Sequence, residues 1–194
     1  NQSLAFAARE AGYDLALYNN YPAGVRSVLK KSAIKIAMQN VCDAFKEEHD
    51  RALDEITQGV YVICLSNPFT VNYPKGRSEI IYIGRGNISG RLKGHFEGSL
   101  FDVMMGLAGA NFDFYLTEPK SNEGDSYFKH IEFQLLDAFR AGVGGGNFPL
   151  LNKNAGTKQN MQLGKGWDKP LKASGKKPTW AIAPTGKRPI KQLV

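Results

Sequence analysis

Two tyrosines, an arginine and a histidine stand at spacings that would let them act on one phosphate group. Tyr61 ends the short run Gly59-Val60-Tyr61, and Tyr82 begins the run Tyr82-Ile83-Gly84. Arg91 and His95 follow four residues apart, so they share one side of a helix. A guanidinium group binds phosphate through two parallel hydrogen bonds, while phenol and imidazole can orient or move a proton. These residue types predict chemistry on a phosphodiester.

Each of these side chains also has a structural interpretation. A tyrosine in a strand commonly packs its ring in the core and gives its hydroxyl to water or backbone. An unperturbed phenol titrates near pH ~10, so a tyrosine base at neutral pH needs positive charge nearby. The candidates for that charge are Arg91, Arg85, Lys93 and a divalent ion. The pair Arg91 and His95 is also compatible with a solvated basic helix face.

Glu132 is placed among the apolar residues of a predicted helix, four residues after Phe128 and three before Leu135. A buried carboxylate without a partner is costly, so this one should be protonated, paired with a cation or bound to metal. Mg²⁺ commonly takes one or two carboxylates and fills its other positions with water and substrate phosphate. We therefore expect Glu132 to bind metal. A salt bridge to Arg91 or to a lysine is the alternative.

Asn152 follows Pro149-Leu150-Leu151 and is predicted to end a buried segment. Its amide could bind a phosphate or a catalytic loop, and a purely structural role is the alternative. The nearby run Gly144-Gly145-Gly146 has no Gly-Lys-Ser/Thr after it, so it is not a phosphate-binding P-loop. We interpret that run as a flexible connection.

Three strands and several helices must position these residues. β-Branched and aromatic residues predict strands at Gly59–Leu65 and Glu79–Ile83, and alternation predicts a third at Asn111–Leu116. The turn-forming residues in 66–78 predict an antiparallel hairpin with a long loop between the first two strands.

The predicted helices lie before and after these strands. Leu4 to Tyr18 is expected to be a first helix, and apolar residues at helical period from Val25 to Ile56 indicate one long helix or two in series. Ser89 is expected to cap a helix that reaches about Leu100. Asp125 or Ser126 is expected to cap another, with a buried stripe from Phe128 to Phe139 and an end at Gly142.

Positive charge is concentrated at the C-terminal end of the sequence. The 194 residues carry a net charge of +7. From Lys153 onward there are ten Lys or Arg and one acid, whereas 1–152 contains fifteen basic and seventeen acidic residues. A basic tail favours a polyanionic partner, and a solvated linker to a further domain is the alternative. The expected nucleic-acid contacts are Arg85, Lys93, Lys153, Lys165, Lys176 and Lys177.

The remaining composition is typical of a globular intracellular protein, with 42% hydrophobic residues. Only Cys42 and Cys64 are present, which disfavours a disulfide framework or a zinc site and favours a reducing compartment. No stretch approaches the length needed to cross a bilayer, and the start lacks a signal pattern. We expect a cytoplasmic protein with no membrane partner.

In their order along the chain, these motifs resemble the GIY-YIG nuclease superfamily, which includes homing, restriction and repair endonucleases. The matching residues are Gly59-Val60-Tyr61, Tyr82-Ile83-Gly84, Arg91, His95, Glu132 and Asn152. The resemblance covers roughly residues 57–155. Two features depart from it: Val60 replaces the isoleucine of the first motif, and the 21 positions between the tyrosines exceed the spacing of compact members.

The resemblance implies a fold, a cofactor and a set of roles. It implies an α+β fold with a three-stranded antiparallel sheet flanked by helices, and Mg²⁺- or Mn²⁺-dependent hydrolysis with one metal. Tyr61 would activate or orient the attacking water with support from Tyr82, and His95 would pair with a tyrosine. Arg91 would stabilise charge on the phosphate, Glu132 would bind the metal, and Asn152 would fix the site.

The sequence thus predicts a metal-dependent DNA endonuclease in three parts. These are an N-terminal helical extension over 1–56, a GIY-YIG-like core over 57–155, and a basic extension rich in Gly, Lys and Pro over 156–194. The partner is expected to be duplex or branched DNA. A dimer on DNA and a piece of a longer chain are both compatible with the sequence. A non-catalytic nucleic-acid-binding or assembly module on the same scaffold is the alternative function.

Overall fold

The computed structural model describes residues 4–14, 17, 20–107, 110–119, 126–153 and 180–182. Within these ranges there are five α-helices and six strands. The helices are α1 (Leu4–Glu10), α2 (Ala23–His49), α3 (Ile88–Glu97), α4 (Ser99–Gly106) and α5 (Tyr127–Ala141). The strands are β1 (Gly59–Leu65), β2 (Phe69–Tyr73), β3 (Gly76–Ser78), β4 (Ile80–Gly86), β5 (Phe112–Thr117) and β6 (Trp180–Ile182).

The fold is α+β, as predicted. A three-stranded antiparallel sheet has the order β4-β1-β5, a second sheet has the order β3-β2-β6, and two helices precede the first strand. By their contacts the residues form two compact units. A helical unit comprises 1–57 and 87–112, and a sheet unit comprises 58–86 and 113–194. The domain limits expected at residues 56/57 and 155/156 stay predictions.

In the helical unit, α1 and α3 each pack against α2. The first helix ends at Glu10, not at Tyr18 as predicted, and Gly12 follows it with a positive φ of 81°. The long helix α2 ends at His49, where Asp50 adopts the left-handed conformation and donates its N–H to the carbonyl of Lys46. A 3₁₀ turn at Leu53–Glu55 takes the place of the last predicted helical residues.

The helix α3 begins two residues earlier than predicted. Asn87 is its N-cap, because the Asn87 side chain accepts a hydrogen bond of 2.8 Å from the N–H of Gly90. Ser89 is therefore inside the helix and not its cap. Leu92 and Phe96 are buried as the helical period predicts, but the helix ends at Glu97 and Leu100 belongs to α4.

In the sheet unit, the central strand β1 pairs with the edge strand β4 in antiparallel orientation. Tyr61 lies opposite Gly84, Val62 opposite Ile83 and Ile63 opposite Tyr82. Every residue of β1 is buried, and α5 packs against β1 and β4. The predicted strand at Gly59–Leu65 is confirmed, and the predicted strands at 79–83 and 111–116 are confirmed with small shifts of their ends.

The long loop predicted between the tyrosines contains regular structure. Its residues form β2 and β3, which pair with each other in antiparallel orientation. The hydroxyl of Tyr73 donates to the carbonyl of Ile80 at 2.7 Å and accepts from the N–H of Leu150 at 3.0 Å. Strand β6 then pairs in parallel with β2, with Phe69 opposite Trp180. This part of the C-terminal tail is thus a strand.

The glycine-rich segment after α5 is an ordered helix cap and not the flexible connection we expected. The N–H of Gly144 donates to the carbonyl of Phe139, and the N–H of Gly146 donates to that of Arg140. Gly145 has a φ of 53°, and a Cβ there would lie 2.9 Å from Cβ of Pro74. The segment therefore closes the end of α5 while it packs against the turn between β2 and β3.

Two further findings concern the cysteines and the polarity of the helices. Cys42 is partly buried and Cys64 is buried, and both are free thiols. Within the described ranges, every helix is too short or too polar to cross a membrane.

Candidate active site

The two tyrosines of the predicted site stack on one face of the sheet. Because residues opposite each other in antiparallel strands share a face, the pairs Tyr61/Gly84 and Ile63/Tyr82 place both phenols on the same side. Their ring centroids are 5.7 Å apart and the rings are inclined by 27°. Tyr61 is 1% exposed, whereas Tyr82 is partly exposed. The sheet unit thus brings these two predicted residues together.

Gly84 makes this stacking possible. A Cβ on Gly84 would lie 2.8 Å from both Cζ and the hydroxyl oxygen of Tyr61, and still closer to Cε1 of Tyr82. Real Cβ atoms essentially never approach other atoms so closely. Any other residue would push the rings apart, so glycine is needed here for close approach and not for a turn. The motif Tyr82-Ile83-Gly84 was the sequence signal for it.

Glu132 is paired with a cation that the sequence did not identify as its partner. Nε of Arg85 lies 2.6 Å from Oε2 of Glu132, and the side chains are 25% and 12% exposed. The guanidinium carbon of Arg85 also lies 5.6 Å from the ring centroid of Phe128. Burial of the carboxylate is thus compensated within the sheet unit. Arg85, which we expected to contact nucleic acid, is the counter-ion of Glu132.

Asn152 holds the backbone of β4. Its Oδ1 accepts from the N–H of Ile83 at 2.9 Å, and its Nδ2 donates to the carbonyl of Ile83 at 2.8 Å. The residue is partly buried. Both ends of the amide therefore contact the strand, while the role of Asn152 in fixing a catalytic site and its binding of phosphate stay predictions.

Four consecutive residues of β4 carry all of these contacts. Tyr82 stacks on Tyr61, Ile83 is held by Asn152, Gly84 gives room for the rings, and Arg85 pairs with Glu132. At about 3.3 Å per residue, positions 82 to 85 extend over roughly 10 Å. Residues from β1, α5 and the segment after α5 thus contact one short stretch of strand. Because side chains alternate along a strand, Tyr82 and Arg85 leave it on opposite faces, and the convergence of Glu132 with the two phenols stays a prediction.

Arg91 and His95 belong to the helical unit, on α3. Arg91 is exposed and His95 is partly buried. Burial, and next the positive charge of Arg91, lower the pKa of His95 from 6.5 to about 4. The imidazole is therefore neutral at pH 7 and can accept a proton. The convergence of this pair with the two tyrosines stays a prediction.

The predicted nucleic-acid contacts have different surroundings. Lys93 is exposed on α3, with Nζ 3.9 Å from Oε1 of Glu97, and Lys153 is exposed after Asn152. Lys165, Lys176 and Lys177 lie outside the described residues.

The donor set limits the kind of metal site that fits. Among the described residues, no three His, Cys, Asp or Glu side chains form a group that could enclose a cation. One partly buried carboxylate, that of Glu132, fits a hydrated Mg²⁺ that completes its shell with water and substrate phosphate. The described side chains therefore do not form a structural metal site that is closed by protein ligands alone.

No protein-family model, curated protein or solved structure matches this chain. The functional interpretation therefore rests on the contacts inside each unit.

Sequence reasoning missed the role of Arg85 as an ion-pair partner. Arg85 and Glu132 are 47 positions apart, so no local periodicity relates them. The available signal was the need to compensate a carboxylate on an apolar helix, which predicts a nearby cation without saying which one.

Proposed function

We propose that this chain is a metal-dependent DNA endonuclease of the GIY-YIG type. The observation that carries the proposal is the set of separate contacts made by residues 82–85, a strand segment roughly 10 Å long: stacked phenols, a compensated carboxylate and an amide clamp. Tyr61, Tyr82, Gly84, Glu132 and Asn152 are among the residues on which the resemblance depends, whereas Arg85 is not. The stacking around Gly84 gives a physical reason for the Tyr-Ile-Gly order.

In the proposed reaction, water attacks the phosphorus atom, one P–O bond breaks, and the leaving oxygen takes a proton. Tyr61 is 1% exposed, and we assign its hydroxyl the role of orienting the water by hydrogen bonding. Tyr82 supports that phenol by stacking against it. The imidazole of His95 is neutral at pH 7, and we assign it the role of pairing with a tyrosine hydroxyl and orienting it.

Two groups offset the negative charge that develops on the phosphate. Arg91 is exposed on α3, and its guanidinium remains cationic throughout the reaction. Glu132 would hold Mg²⁺ or Mn²⁺ through a carboxylate oxygen. When bound, such an ion polarises a phosphate oxygen and offsets negative charge in the transition state. Asn152 acts indirectly, because it fixes the strand that bears Tyr82 and Arg85.

DNA binding is assigned to basic residues, including Lys93, Lys153 and the positively charged tail. Lysines that neutralise phosphates release counter-ions, so affinity should fall steeply with salt concentration. Because β6 pairs with β2, deletion of the whole tail would also remove a strand. Substitution of Lys165, Lys176 and Lys177 by serine is the cleaner test. It should reduce the slope of log K against log salt by about 0.9 for each phosphate that is no longer neutralised.

A plasmid nicking assay tests the proposal. We expect purified protein to relax supercoiled DNA with Mg²⁺ or Mn²⁺ and not with EDTA. Removal of one charge-stabilising group typically costs about 10²–10³-fold in rate, so Glu132→Ala and Arg91→Ala should each lose about that much. Glu48→Ala removes an exposed glutamate from α2 and serves as a control for charge. Equal nicking by all four proteins would identify a contaminating nuclease and contradict the proposal.

The Arg85–Glu132 pair also favours the alternative, a non-catalytic nucleic-acid-binding module. Because Arg85 already compensates the carboxylate, burial of Glu132 does not by itself require a metal ion. A binding module would retain salt-sensitive DNA affinity and show no nicking with any divalent ion. The same assay, read together with DNA affinity, separates the two functions.

A further inference from the structure

We propose that Arg85 is the resident counter-ion of Glu132, that a divalent cation displaces it from the carboxylate, and that the released guanidinium then binds the DNA phosphate. The inference rests on the proposed function and adds to it a coupling between cation binding and DNA binding. No covalent bond changes in the exchange: the carboxylate passes from the guanidinium to the divalent cation, and the guanidinium keeps its charge, which the DNA phosphate then balances.

The first step of the argument is competition for the carboxylate. Nε of Arg85 and Oε2 of Glu132 are separated by 2.6 Å, a short charge-assisted hydrogen bond. A cation on this carboxylate would stand beside the guanidinium, and two positive charges in a partly buried place repel each other strongly. Arg85 and a divalent cation therefore exclude each other at Glu132.

The second step is the freedom of Arg85 to move. Arg85 is the penultimate residue of β4 and its side chain is 25% exposed. The Glu132 side chain is only 12% exposed, so the carboxylate is the more fixed of the two partners. Rotation of the arginine leaves the backbone pairing of Arg85 with Val60 unchanged.

The third step is the fate of the released side chain. A guanidinium keeps its charge at every working pH and binds phosphate through two parallel hydrogen bonds. The guanidinium carbon lies 5.6 Å from the Phe128 ring centroid, so the aromatic face can support the group in either position. Without a divalent cation, Arg85 is held by Glu132 and contributes less to DNA binding.

A direct measurement of cation binding tests whether Arg85 and the cation compete for Glu132. Mn²⁺ affinity is determined by electron paramagnetic resonance for the wild type, Arg85→Gln, Glu132→Gln and the double variant. Arg85→Gln should bind Mn²⁺ about tenfold more tightly than the wild type, within the usual range of coupling between ligands. Glu132→Gln and the double variant should lose this site. Mn²⁺ should also raise the melting temperature of Arg85→Gln by more than that of the wild type.

A second measurement uses the unaltered chain, in case Arg85→Gln does not fold without metal. The Nε–H resonance of Arg85, identified from its loss in Arg85→Lys, should be protected from solvent exchange and should lose that protection when Mg²⁺ is added. DNA affinity, measured with and without a divalent cation, reports the coupling between cation binding and DNA binding. Ca²⁺ should tighten binding of a short duplex by the wild type about tenfold, and by Arg85→Gln about twofold or less.

Equal Mn²⁺ affinity of the wild type and Arg85→Gln, or an Arg85 resonance that Mg²⁺ leaves unchanged, would overturn the exchange. If the wild type then still nicks DNA in a Glu132-dependent manner, only the exchange has failed. If no variant binds Mn²⁺ and the wild type nicks nothing, the proposed function has failed with it.

Discussion

Asn152 supplies both a donor and an acceptor to the backbone of Ile83. Its Nδ2 donates to the Ile83 carbonyl at 2.8 Å, and its Oδ1 accepts from the Ile83 N–H at 2.9 Å. Ile83 is on β4, an edge strand, whose open N–H and C=O groups would otherwise invite pairing with another chain. The N–H of Leu151 adds a bond of 2.9 Å to the carbonyl of Ile81. Residues 151–152 thus cover this edge.

Loss of that amide should destabilise the fold. In Asn152→Asp a carboxylate oxygen faces the carbonyl of Ile83, and in Asn152→Ala both backbone groups lose their partner. We expect the free energy of unfolding to fall by about 1–3 kcal/mol, with Asp the worse substitution at pH 7. Urea denaturation measures this. The adjacent exposed change Lys153→Ala should stay within about 0.5 kcal/mol of the wild type, and an equally small effect of Asn152→Ala would contradict the clamp.

Gly84→Ala should separate the tyrosine rings. The added methyl group would overlap Tyr61 and Tyr82, and such overpacking costs about 1–3 kcal/mol. Nicking should fall as well, because the water-orienting phenol would move. The control is Gly94→Ala on α3, where a Cβ meets no atom within 4 Å. That helical position should gain up to about 1 kcal/mol. A Gly84→Ala protein as stable as the wild type would show that the rings are not packed as described.

The imidazole of His95 should remain neutral throughout the physiological range. Its pKa is about 4 in the folded protein, against 6.5 in the unfolded chain. The unfolded state therefore binds more protons between these values. This group makes the free energy of unfolding decrease as the pH falls from about 6.5 to about 4. Its NMR resonance, identified with His95→Gln, should show little change between pH 8 and pH 5. A midpoint near 6.5 would contradict the lowered pKa and the desolvated surroundings of His95 that cause it.

His130 should be replaceable by an apolar residue. It is fully buried on α5, and neither ring nitrogen has a hydrogen-bond partner among the residues that the structure describes. An unsatisfied buried polar group typically costs about 1–3 kcal/mol, so His130→Leu should keep or raise the free energy of unfolding. Thermal and urea unfolding measure the difference. A loss above about 1 kcal/mol would mean that the imidazole has a stabilising partner.

The elements that follow from local pattern could be predicted from sequence. The strand from Gly59 to Leu65 and the helix from Tyr127 to Ala141 were predicted almost to the residue, because their apolar residues recur at the strand and helix periods. The first helix was predicted too long, since Gly12 ends the pattern through its positive φ. The cap at Asn87 was missed because Ser89 is an equally good cap by type.

Pairing between residues that are far apart in the chain could not be predicted from the sequence. The short strand Phe69–Tyr73 stands between turn-forming residues, and its partners are β3 and the remote segment Trp180–Ile182. The Arg85–Glu132 ion pair and the Asn152–Ile83 clamp each join residues more than 45 positions apart. Order along the chain identified which residues could form a site, and the contacts of β4 define how some of them are held.

The most direct test of a common site is the non-additivity of two substitutions under single-turnover conditions. Cleavage of a defined DNA duplex is timed for the wild type, Tyr61→Phe, Glu132→Gln and the double variant. When two groups act on one phosphate as a unit, removal of either one abolishes most of the cleavage rate. We predict that each single change slows cleavage by about 10²-fold or more and that the double variant is close to the slower single one. Losses that multiply, or wild-type rates in either single variant, would contradict a shared site.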